Sequence, residues 1–166
     1  MIGIIAILAG IVLGVGRRAS ESGKIARAKA EMAALSTALE AYKSQYGDYP
    51  QTNNADRMLR SLIGLKGPLG ADIVGRALIE SAKFAIALPG AATVAVDPFT
   101  NASAELIDPW DVPYVYAYKT QSPWTNSSFV LYTLGPDGKD AATPLTNGLP
   151  NTTAAESRDN LYANRN

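Results

Sequence analysis

The chain has 166 residues, with 15 Lys plus Arg balanced by 15 Asp plus Glu, so it carries no net field to hold a polyanion, and nucleic acid is excluded as an expected partner. There is no Cys and no His, which removes disulfides, thiolate metal sites, thiol nucleophiles and the commonest general base and zinc ligand. With 47% apolar and 18% charged residues the sequence is that of a folded chain, long enough for one head and a terminal appendage.

Residues 1–16 contain no charge and no hydrogen-bonding side chain. A bilayer-spanning helix needs roughly 20 apolar residues, and this run falls several short. Three readings remain open. A signal peptide would need a basic start, which is missing, and a small-residue cleavage site before a mature domain. A signal anchor is opposed by Arg17 and Arg18, which favour a cytoplasmic location for the downstream chain. The third is a segment whose true N-terminus lies upstream. Ala6, Gly10 and Gly14 stand four apart and form one small-residue stripe on a helix. Such a stripe permits a neighbouring helix to approach closely, although small residues are also common in membrane helices generally. Gly14 and Gly16 weaken the helix and predict local unwinding there.

Beyond Arg18 the helix should continue to Tyr46. Ile25, Ala28, Met32, Leu35, Leu39, Tyr42 and Tyr46 recur at alternating intervals of three and four, a stripe that must bury against something: the chain's own head is expected, with a short coiled coil as the alternative. Gly47 and Pro50 mark the stop. Residues 54–65 and 71–88 each show helical spacing, separated by Gly64, Gly67, Pro68 and Gly70. Asp97-Pro98 and Asp108-Pro109-Trp110-Asp111 are turn signals. Residues 112–119 and 128–134, rich in Tyr, Val and Phe, predict two strands joined by 121–127. In the second strand, Phe129, Leu131 and Thr133 compete with Val130, Tyr132 and Leu134 for the core face. Tyr114, Tyr116 and Tyr118 share one face, a half-buried sheet surface rather than a stacking platform for a ligand. The last thirty residues are rich in Thr, Asn and Pro and predict a loop that something must hold. Within the second half, Asn101, Asn126 and Asn151 fit the N-glycosylation acceptor pattern.

An apolar N-terminal helix continued by an amphipathic one, a Tyr46-Gly47-Asp48-Tyr49-Pro50 exit, Asp108-Pro109-Trp110, a Tyr-rich strand and Leu134-Gly135-Pro136-Asp137-Gly138 together resemble bacterial type IV pilin-like proteins, most nearly the major pseudopilin of type II secretion. The resemblance implies an α+β pilin fold: a long N-terminal α-helix on a small antiparallel β-sheet head with an irregular C-terminal loop. Residues 1–24 would be the filament-core or transmembrane helix segment and residues 25–166 the head. It implies a non-enzymatic subunit that polymerises with itself into a helical filament, apolar helices inside. It further implies residence in the bacterial inner membrane before assembly and in a periplasmic or extracellular filament afterwards, with a prepilin peptidase and inner-membrane assembly machinery as partners. Ala6, Gly10 and Gly14 would pack between subunits. In that family the Gly-Pro-Asp-Gly loop and a later acidic pair hold calcium, which would place the Leu134 carbonyl and the Asp137 and Asp159 carboxylates on the ion; a plain type I turn is the alternative. Asp140 is a reserve ligand and Asn160 stands where the second acidic residue is expected. The family's leader, cleavage site and early Glu are absent, and Gly14 stands where many relatives have Pro. A minor pilin or anchored binding module is the alternative function. A membrane-anchored enzyme would be left with carboxylate chemistry alone.

Overall fold

The computed structural model describes residues 2–90 and 96–163; for residues 2–17 it describes the helical backbone alone. Helix α1 runs from Ile2 to Tyr46, 45 residues and about 67 Å at 1.5 Å per residue. It passes Gly14 and Gly16 without a break, so the unwinding expected there is not found. Its stripe is buried as its spacing dictates: Ala28, Met32, Leu35, Leu39 and Tyr42 lie inside, while Ile25 and Tyr46 at the two ends are half-buried. The helix stops where Gly47 takes a φ of +86° and its N–H donates to the Lys43 carbonyl at 2.8 Å.

Helix α2, Ala55–Leu62, sets Met58, Leu59 and Leu62 into the core beside α1. The helical expectation for residues 71–88 fails. Val74 and Ala77 are exposed while Ile73 and Leu78 are half-buried, so the apparent stripe does not share a face. The backbone of this segment bonds instead to the end of α2 and the turn after it: Ile73 N–H to Leu65 O at 3.2 Å, Gly75 N–H to Gly64 O at 2.8 Å and Leu78 N–H to Leu62 O at 2.8 Å. Those tertiary bonds satisfy groups that a helix interrupted by Gly75 would satisfy less well. A single 3₁₀ turn, Ser81–Lys83, leads into the first strand.

Among the described residues the strands form three small antiparallel sheets. β1 (Ala85–Ala87) pairs with β2 (Glu105–Ile107), in register Ile86 to Leu106. β3 (Val115–Ala117) pairs with β4 (Val130–Thr133), Tyr116 opposite Leu131. β4 also pairs with β7 (Leu161–Tyr162) on its other edge, Tyr132 opposite Tyr162. Between them β5 (Leu145–Thr146) and β6 (Leu149–Pro150) form a hairpin turned by Asn147 and Gly148, both at positive φ, as the right-handed strand twist favours. Mixed helix and small antiparallel sheets make the fold α+β.

One core joins these layers. Met32, Leu35, Leu39 and Tyr42 of α1 meet α2, Leu106, Tyr114, Tyr116, Phe129 and Leu131. Phe129 and Leu131 therefore take the core face of the β4 region. The other face is covered as well, because Val130 and Tyr132 are buried and Tyr132 stacks on Tyr162 with ring centres 4.9 Å apart. Tyr114, Tyr116 and Tyr118 are all buried, deeper than the half-buried face expected of them, and offer no stacking platform.

Candidate functional site

Two groups of polar contacts fix the parts of the head named by the sequence. The first joins head to helix. Asp108, itself buried, accepts the N–H of Trp110 at 2.8 Å and of Val112 at 3.0 Å through one oxygen and the Thr133 hydroxyl through the other. A short carboxylate at the turn start thus ties the Asp-Pro-Trp turn to β4. The turn projects Trp110, whose Nε1–H donates to Glu21 Oε1 at 2.9 Å, far up the helix. Further along the helix, the buried Glu31 accepts from Arg27 at 2.7 Å and from the Tyr114 hydroxyl at 2.6 Å. Burial pushes the Tyr114 phenol well above its usual range, and the bond to Glu31 pushes it further.

The second group holds the C-terminal segment. Asp140 accepts the Tyr132 hydroxyl at 2.5 Å on one oxygen. Its other oxygen accepts Ala141 N–H at 2.8 Å, the Ser157 hydroxyl at 3.3 Å and the Asn160 amide at 3.2 Å. Asp140, a reserve in the sequence reading, is therefore the residue about which the tail is organised. The signal that could have found it is a lone acid between β4 and a stretch rich in hydroxyl and amide donors.

The residues expected to hold calcium are brought into one neighbourhood. The Asp159 carboxylate accepts the Asp137 N–H at 3.2 Å, and the Asp137 carboxylate accepts the Lys139 N–H at 2.8 Å. Leu134 follows β4 directly, and residues 135–138 form the turn. Gly135 touches the other side of the crossing: a Cβ there would lie 2.5 Å from the Asp159 carbonyl oxygen, and its φ is +68°. Two carboxylates and adjacent carbonyls are the donor type a hard divalent cation takes, and each carboxylate has more lone pairs than these bonds use. Among the described residues no three His, Cys, Asp or Glu side chains converge, so backbone oxygens would have to complete the shell. Asn160 points its amide to Asp140, and its own side-chain oxygen is buried without a hydrogen-bond partner among the described residues.

The side chain of the stripe residue Ala6, and the surroundings of Gly10 and Gly14, lie outside the described residues. Among the described residues no helix is long and apolar enough to cross a membrane. Asn126, one of three glycosylation-pattern residues, uses its side-chain amide to donate to the Gly148 carbonyl at 3.0 Å, and Asn151 bonds the Thr143 carbonyl. No family model, no curated protein and no solved structure matches the chain.

Proposed function

We propose that the chain is the structural subunit of a helical filament of the type IV pilus-like or type II secretion pseudopilus kind, with apolar helices in the filament core and heads outside. The observation that carries this reading is α1. Its 45 residues outrun the head, whose described contacts with it begin at Glu21 and become a core only from Ala28 onward. The sequence ahead of Arg17 is wholly apolar and carries the Ala6, Gly10 and Gly14 stripe, which suits close packing of one subunit's helix on another's. Before assembly the subunit would reside in the bacterial inner membrane, served by a prepilin peptidase and assembly machinery, and afterwards in a periplasmic or extracellular filament. Its role is mechanical and not catalytic.

Imaging of cells expressing the chain should reveal filaments labelled along their length, and Gly10→Leu should abolish them. Label confined to filament tips would instead identify a minor pilin, and normal filaments from Gly10→Leu would remove the stripe from the subunit contact.

Calcium belongs to the same proposal. The Leu134 carbonyl and the Asp137 and Asp159 carboxylates would hold it, and its chemistry would be to bridge the two ends of the C-terminal loop and neutralise their charge. The head should then melt higher with calcium than with chelator, and Asp137→Ala should erase the difference. Equal melting temperatures would mean that the Asp140 contacts suffice alone.

A further inference from the structure

Arg57 and Arg60 sit one turn apart on α2, on the side left over when Met58, Leu59 and Leu62 turn into the core. They line a cavity of about 290 Å³ together with Asn54, Asp56, Lys66 and Gly70. The Nε–H of each guanidinium is buried and has no hydrogen-bond partner among the described residues. No ion pair among the described residues involves either group. A buried donor left unmade costs free energy, and both arginines that carry one line the same cavity.

The cavity is built to keep them there. Gly70 has a φ of +88°, and a Cβ on it would fall 1.9 Å from Arg57 Nη2, so the guanidinium lies across bare backbone where any other residue would displace it. Lys66 is engaged with Asp72 at 2.7 Å, and Asp56 supplies the one carboxylate of the lining. Two guanidiniums outweigh it. The first turn of α2 adds to the positive side, since its early N–H groups have no intrahelical acceptor and the Asn54 side chain makes no capping bond to them.

We propose that this cavity binds a small oxyanion, a phosphate or carboxylate group, gripped by Arg57 and Arg60. Guanidinium forks match the paired oxygens of either group, one oxygen to each N–H.

Isothermal titration of the detergent-solubilised full chain at low ionic strength with inorganic phosphate, and in parallel with acetate, tests this. Saturable binding of at least one is the expected result, and which one binds separates a phosphate from a carboxylate site. Arg57→Gln and Arg60→Gln should each weaken it about tenfold or more. Asp56→Asn, which removes the opposing charge and leaves the core untouched, should tighten it, so the outcome does not depend on an arginine variant that folds poorly. No saturable heat with either anion, undiminished affinity in folded arginine variants, or no gain in Asp56→Asn would overturn the proposal.

Discussion

Asp108 shows how much one buried carboxylate can settle. Its two oxygens take two backbone N–H groups and the Thr133 hydroxyl, all donors, so a side chain with only one acceptor atom cannot replace it. Asp108→Asn would turn an amide NH₂ toward at least one of those donors. The head should lose about 2–3 kcal/mol, read as a lower urea midpoint at unchanged slope. A midpoint equal to that of the parent chain would mean that the turn is held by its proline and by main-chain bonds alone. Asp140 works in the same way for the tail. Asp140→Ala should leave Tyr132, Ser157 and Asn160 without their shared acceptor, and amides in residues 155–162 should then exchange faster while those of α1 do not.

At the scale of elements, the buried face of the amphipathic half of α1 was largely legible. Spacing alone named seven residues, of which Ala28, Met32, Leu35, Leu39 and Tyr42 are buried and Ile25 and Tyr46, at the two ends, half-buried. Leu35→Ala should cost about 2–5 kcal/mol, as expected of a leucine wholly enclosed, and thermal or denaturant unfolding will measure it. The latch between Trp110 and Glu21 makes a second prediction. Glu21→Ala frees the indole N–H, and the tryptophan emission should move to longer wavelength while the melting temperature changes little. What escaped the sequence has physical reasons. Residues 71–88 carry helical spacing, but their backbone found partners in the turn after α2, a preference that only the folded chain creates. β1, β2 and β7 have three or two residues each, too few for an alternation to declare itself. The Asn147-Gly148 hairpin was written in its turn residues and could have been read. The residues proposed for calcium follow from resemblance alone, and their neighbourhood is set by a chain crossing, 135 against 159, that no local pattern encodes.

For the molecule as a whole, the core is unusually phenolic, and this dictates its response to alkali. Burial is the first cause that raises the proton affinity of Tyr42, Tyr114, Tyr116 and Tyr132; Tyr42 is pushed up to about 12 and the others further. Because the folded values lie above the unfolded one, the stability these phenols contribute is fully present below about pH 10. Above it the unfolded chain sheds protons that the folded chain keeps. Stability should then fall with a slope of up to about 5 kcal/mol per pH unit for four such groups. Ultraviolet titration should show tyrosinate appearing together with loss of near-ultraviolet dichroism. Ionisation of these tyrosines in a chain that keeps its dichroism would contradict the burial.

The pairing of β7 with β4 sets an order of events during synthesis. Strand β4 has one edge closed by β3, which precedes it in the chain, but the other is closed by residues 161–162, with the Ala163 N–H bonded to the Leu131 carbonyl at 2.9 Å. A chain that emerges N-terminus first therefore presents an open strand edge, flanked by Val130 and Tyr132, until some thirty further residues have emerged, roughly 2–6 s at ordinary rates of synthesis. For that interval the edge is a template for any extended segment nearby, including the same strand of a second nascent chain. The last described strand is the lid on that hazard, and the head is sealed only when it arrives.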